Sequence, residues 1–183
     1  MKLFDPTVRV HLSPHNSAMD EFIFLDVEAS GLSFSSYPIE VAYASSQGRS
    51  GSYLIKPSNH WINNGEWDKT AEQKIHKLSI QLLNEQGMDS RKVACSLNEA
   101  LKGSIVFCSD LAYDGPWLTQ LFESANVGVE FSLTDIEYFF EWLGDRSSKY
   151  KEELKKIAMA EHRALSDAQR FVDTYLNLVT TSQ

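Results

Sequence analysis

The run Phe24-Leu25-Asp26-Val27-Glu28-Ala29-Ser30-Gly31-Leu32 constrains this chain more than any other stretch. An apolar segment that ends in two carboxylates two residues apart, followed at once by a glycine turn, reads as a strand leaving a sheet. Side chains on a strand alternate faces, so Asp26 and Glu28 point the same way while Val27 points back into the core. Two hard oxygen donors that close together suit Mg²⁺ or Mn²⁺, and open α/β sheets take their ligands where strands end. For Asp-x-Glu by itself, a solvated strand end is the alternative.

Two distant segments add to it. In Glu161-His162-Arg163-Ala164-Leu165-Ser166-Asp167-Ala168, a histidine precedes by five residues an aspartate that opens an amphipathic helix. On one continuous helix the two side chains would stand about 140° apart, so the pattern places His162 in a loop and Asp167 in the helix's first turn. Between the two ends, Phe107-Cys108-Ser109-Asp110-Leu111-Ala112-Tyr113-Asp114 reads as a buried strand that breaks into a new helix at Asp114. Four acids and one histidine thus come from three segments, each at an element boundary.

On these residues the chain resembles the DnaQ-like (DEDDh) exonucleases of the ribonuclease H-like superfamily, whose motifs contain Asp-x-Glu, Asp and His-x-x-x-x-Asp. Tyr37-Pro38-Ile39-Glu40-Val41-Ala42 is similar to that family's second strand, and Ile75-His76-Lys77-Leu78-Ser79 to its Ile-His-Gly-Ile-Thr segment, so the resemblance runs from about Phe22 to Tyr175. The chain departs from the family at Ser109-Asp110, where relatives often carry His-Asn. The resemblance implies a single α/β domain over 21–183, a ribonuclease H-like mixed sheet flanked by helices; residues 1–20, with Pro6, Pro14 and scattered polar residues, read as an irregular lead. It implies a 3′-to-5′ exonuclease in which His162 is the general base, a task suited to an imidazole's ordinary pKa near 6.5. It also implies that Ala29, Ser30, Gly31 and Leu32 meet the terminal nucleotide, the glycine letting the backbone come close; a plain tight turn is the other reading.

The chemistry of the cluster leads to the same activity. Four crowded carboxylates repel one another and resist ionisation, whereas two divalent cations turn that cost into affinity. Asp26, Glu28, Asp114 and Asp167 are the expected ligands for two Mg²⁺ or Mn²⁺ ions that clamp a scissile phosphate, with a nucleoside 5′-monophosphate as product. A nuclease-fold protein that binds nucleic acid or a partner without cutting is the competing reading. Degenerate relatives lack an acid or the histidine, and all five are present here.

Composition bounds the substrate. A net charge of −8 is wrong for gripping a long duplex through many phosphates, which needs a basic surface. The expected partner is a single-stranded 3′ end of DNA or RNA, held by metals and stacking; a homodimer is left open. At 183 residues, with 43% apolar and 23% charged, the chain is long enough for one real core. No apolar run has the length of a membrane span and no signal-like segment stands at the start, so a cytoplasmic protein is expected. Cys95 and Cys108 lack zinc-ligand spacing and read as reduced core thiols.

Period and punctuation predict strands over 21–26, 39–45, 51–55, 105–109 and 129–132, and helices over 69–78, 80–85, 90–101, 114–124, 134–143, 150–160 and 164–178. Glu40, inside an apolar strand, needs a partner: it contacts the 3′-hydroxyl region or pairs with backbone donors, and the structural role is preferred. Trp61, Trp67, Phe34 and Tyr37 stack on bases or plug a satellite core. Trp117 reads as core, His76 as a packed, hydrogen-bonded histidine, and Lys149 to Lys156 as a solvated helix face with internal ion pairs.

Overall fold

The computed structural model describes residues 21–157 and 162–180; the expected lead over 1–20 lies outside them. Five strands form one mixed sheet: β1 (Ile23–Ala29), β2 (Pro38–Ser45), β3 (Ser50–Leu54), β4 (Ile105–Cys108) and β5 (Ser132–Asp135), in the order β3-β2-β1-β4-β5. β1 pairs antiparallel with β2 and parallel with β4; β2 and β3 are antiparallel, β4 and β5 parallel. The helices are α1 (Asn59–Asn64), α2 (Lys69–Ala71), α3 (Ile80–Gln86), α4 (Ser90–Leu101), α5 (Leu111–Ala125), α6 (Ile136–Leu143), α7 (Ser147–Lys156) and α8 (Ala164–Thr180).

β1 shows why the sheet has two cores. Ile23, Leu25 and Val27 point into an aliphatic layer with α4 and α5, where Val93, Leu97, Leu118 and Leu121 are buried. Phe24, one register off, points with Phe22 into an aromatic layer under α6, α7 and α8, against Phe107, Phe139, Tyr150 and Val172. Burying such side chains stabilises by about 1.5–3 kcal/mol each. Asp26 and Glu28 continue the aromatic face to the strand's end, where the hydrophobic layer stops.

Helix starts follow from short polar side chains. Ser58, Asp68, Ser79, Asp89, Asp110 and Asp135 each accept a hydrogen bond from a first-turn amide of the helix that follows, worth about 1 kcal/mol apiece. Asp110 explains one difference from the expected pattern. It caps a helix that starts at Leu111, three residues before the expected start, so Asp114 sits inside the first turn instead of opening the helix. The expected helix over 69–78 is a single short turn followed by a π-helical turn, Glu72–His76, which ends at Lys77 with φ +57°. The last strand lies three residues later than expected, and α1, rich in asparagine, has no periodicity to announce it. Cys108 is buried but Cys95 is exposed, so only one thiol belongs to the core.

Tyr37 and Trp61 are buried and stacked at 5.8 Å between centroids, with Trp67 beside Tyr37 at 6.2 Å. Tyr37 and Trp61 therefore plug a satellite core and are not presented to bases; Phe34 is exposed. This aromatic plug holds the exit of β1. Ser30 donates its hydroxyl to the Glu66 carbonyl at 2.6 Å and accepts from the Tyr37 amide at 3.0 Å, while its own carbonyl accepts from the Asp68 amide at 2.8 Å. A Cβ on Gly31 would meet Asp68 Cβ and Ser36 Oγ at 3.1 Å, so the turn is packed to its limit. Ser30→Ala leaves the buried Tyr37 amide without this partner and removes a part-buried bond to the Glu66 carbonyl, and is expected to lower stability by about 1–3 kcal/mol in urea melts of metal-free protein; an unchanged midpoint would show that the turn is held otherwise.

Candidate metal centre

Carboxylates from three elements meet at the end of β1. Asp26 and Glu28 come from the strand and Asp167 from the first turn of α8, and one oxygen from each lies within 4.8 Å of the others. Asp114, in the first turn of α5, approaches from the opposite face of the sheet. It is 3% exposed, its Oδ2 is enclosed without a hydrogen-bond partner, and it stands close enough to Asp26 for the Asp26 charge to bear on it. Asp114 and Asp167 are each the fourth residue of their helix, where the helix dipole favours a negative charge. His162 lies in the chain just before α8, half-buried, and its charge bears on Asp167.

Crowding shows in the acids' proton affinities. Burial, then the charges of Asp167 and Glu40, push Asp26 up to about 7. Burial, then Asp26, Asp167 and Glu40, push Glu28 to about 8, with Arg163 opposing. Asp114 is driven well above the usual carboxylate range, chiefly by burial and next by Asp26. Asp167 is raised by burial, with His162 and Arg170 pulling the other way. A cluster that clings to protons this strongly is one whose charge needs cations, and an enclosed, unpartnered carboxylate oxygen on Asp114 fits the same need. A donor set of hard carboxylate oxygens suits Mg²⁺ or Mn²⁺. Asp26, Glu28 and Asp167 could hold one ion, and Asp26 with Asp114 a second.

The other expected site residues fall around this centre. Ala29 ends β1, buried; Leu32 is 76% exposed beyond the turn. Ser30 uses its hydroxyl and both backbone groups within the turn. Asp110 accepts from the Ala112 amide as the cap of α5. His76 is buried and accepts from the Leu78 amide at Nδ1. Trp117 is half-buried, packed on Tyr113 and the aliphatic core.

Glu40 found a side-chain partner that local sequence did not reveal. The Arg163 guanidinium grips it with two hydrogen bonds, Nε to Oε2 at 2.9 Å and Nη2 to Oε1 at 2.7 Å. The signal in the sequence was a carboxylate inside an apolar strand; its partner lies 123 residues away.

Among the described residues no helix is long and apolar enough to cross a membrane. No family model matches the chain, and no curated protein matches it in sequence. Solved structures of exonuclease I do match. The E. coli enzyme in complex with a dA16 oligonucleotide superposes with a TM-score of 0.65 at 14% identity, over 89% of this chain and 41% of that one. The zinc-bound E. coli exonuclease I–ssDNA complex gives 0.66 at 14% identity with the same coverages, 89% and 41%. A moderately thermophilic exonuclease I from Methylocaldum szegediense gives 0.62 at 15% identity, again over 89% and 41%. This chain thus spans well under half the length of the exonuclease I chains it matches. Strand order, helix placement and these superpositions together identify a single α/β domain with the ribonuclease H-like fold that exonuclease I also has.

Proposed function

We propose that the chain is a metal-dependent 3′-to-5′ exonuclease that hydrolyses the terminal phosphodiester bond of single-stranded DNA or RNA and releases nucleoside 5′-monophosphates. The observation that carries this reading is the convergence of Asp26, Glu28 and Asp167 within 4.8 Å, with buried Asp114 beside Asp26 and His162 at the rim. The single-stranded oligonucleotide bound in the E. coli exonuclease I structure supports the substrate class, and so does a net charge of −8, unsuited to a long duplex.

Asp26, Glu28, Asp114 and Asp167 would hold the divalent ions. When bound, those ions supply Lewis-acid stabilisation of the charge that develops on the scissile phosphate. His162 takes the proton of the attacking water as its oxygen bonds to phosphorus and the bond to the 3′-oxygen breaks. Ala29 to Leu32 line the approach, where exposed Leu32 and Phe34 offer apolar surface to the terminal bases. The reading requires no second copy of the chain.

Cleavage of a labelled single strand should require Mg²⁺ or Mn²⁺ and stop on chelation; full activity after exhaustive chelation would overturn the proposal. Asp26→Asn and Asp114→Asn should abolish cleavage and weaken Mn²⁺ binding. His162→Ala should keep Mn²⁺ binding while turnover falls by about 10²–10⁴-fold. Blocking the 3′ end with a phosphate should protect the strand, and circular single strands should survive; circles opened as fast as linear strands are cut would indicate an endonuclease.

The raised carboxylates also set a pH signature. Asp26 and Glu28 bind protons more tightly folded (about 7 and about 8) than at their ordinary values of 3.8 and 4.5. The stability they contribute is therefore full below about pH 4 and is lost as pH rises toward about 8. Metal-free protein should show a melting temperature that falls between pH 5 and 8, with a shallower slope in Asp26→Asn. Saturating Mn²⁺ should raise the melting temperature, and by more at pH 8 than at pH 6, because the ion binds the deprotonated folded cluster.

A further inference from the structure

Glu40 is the third residue of β2, 1% exposed, directly opposite Glu28 in the β1–β2 register and therefore on the face that carries the acids. A fifth carboxylate beside four others is an electrostatic burden, and the fold alone does not need it. A pair of well-packed apolar side chains serves a buried site as well as a buried ion pair does, or better. Its hydrogen bonds show where it acts. Oε1 accepts from Arg163 Nη2 at 2.7 Å and Ser52 Oγ at 3.2 Å; Oε2 accepts from Arg163 Nε at 2.9 Å and the Ala164 amide at 3.3 Å. Four donors fill the acceptor positions of the carboxylate, so Glu40 has none left for a metal ion.

Each of the strongest contacts lands between His162 and Asp167. Arg163 directly follows the histidine, and Ala164 opens α8. The Arg163 carbonyl accepts the Asp167 amide at 3.1 Å, so Asp167 rides one helical turn from the residue that Glu40 grips. The first amide of α8, that of Ala164, is held from β2.

Resting on the exonuclease reading above, we infer that Glu40 and Arg163 are positioning residues: the bidentate pair fixes where His162 and Asp167 stand relative to Asp26 and Glu28, and so sets both the metal cage and the proton acceptor. The geometry anchors the last helix to the strand next to β1, the strand that carries the other two ligands. A point charge would hold the same ends together loosely, whereas a planar fork on a carboxylate fixes direction as well as distance.

The test compares Glu40→Gln, Arg163→Lys and the double variant Glu40→Met/Arg163→Leu with wild type. Urea stability, Mn²⁺ affinity by titration calorimetry, kcat and KM on a single-stranded oligonucleotide, and amide exchange of metal-free protein at Ala164 and Asp167 are measured. The double variant should regain wild-type stability yet lose about 10²-fold in kcat, because misplacement of about 1 Å has that effect, with KM little changed. Its Mn²⁺ affinity should fall about 10-fold, as when a residue that orients a metal ligand is lost. Arg163→Lys should fall between the double variant and wild type in kcat. A double variant with wild-type kcat and Mn²⁺ affinity overturns the inference. If that variant does not fold, Glu40→Gln decides: wild-type kcat overturns the inference, and a kcat loss with KM held supports it. Wild-type protein that neither binds Mn²⁺ nor cleaves overturns the nuclease reading instead. Anchoring is then judged by exchange alone: faster exchange at Ala164 and Asp167 in Glu40→Gln supports it, and unchanged exchange overturns it.

Discussion

Everything in this molecule depends on β1 being hydrogen-bonded along both edges and covered on both faces. A strand in that position must be apolar on both sides, and Ile23, Phe24, Leu25 and Val27 are all buried. Once the covering helices end, the same alternation delivers acids where it had delivered aromatics, at Asp26 and Glu28. Two helices from opposite layers then bring their first turns to the same point, adding Asp114 from the aliphatic side and Asp167 from the aromatic side. The aromatic layer, in which the rings of Phe22 and Phe24 each meet those of Phe107 and Phe139, offsets the cost of assembling like charges next to it.

The charge distribution divides labour among carboxylates of one type. Glu40 is paired with a fixed cation and saturated with donors; Asp110 is occupied in capping a helix; Asp26, Glu28, Asp114 and Asp167 share too few protein donors for their charge. Only the last group is left without such partners, and it is the one proposed to hold cations. On the proposed reading, stability is sacrificed at one point of the structure in a way that bound ions would reverse, a familiar exchange between stability and activity.

The features legible in the sequence were those with local causes. Asp26 and Glu28 are readable because a period of two decides which side chains share a face, and the His162-to-Asp167 spacing separates loop from helix without any tertiary information. The start of α5 was misplaced because Asp110 and Asp114 are both good caps, and only the tertiary fold selects between them. The helix over Asn59–Asn64 carries one buried residue, Trp61, too few to make a period. Tyr37 and Trp61, in or beside loops, gave no local sign that they would stack on each other. The partner of Glu40 was beyond reach for the same reason in stronger form: the need for a counter-charge is local, but its source is not.

That last separation has a consequence for how the chain comes into being. Contacts that join residues more than a hundred positions apart pay their loop-closure entropy late, after local helices and hairpins have formed. During synthesis the β1–β2 hairpin and its acids leave the ribosome well before Arg163 and Asp167 exist. A partly made chain therefore carries Asp26 and Glu28 without the helix that brings Asp167 to them. On the proposed nuclease reading, the order of assembly would itself keep the site incomplete until the last part of the chain is made.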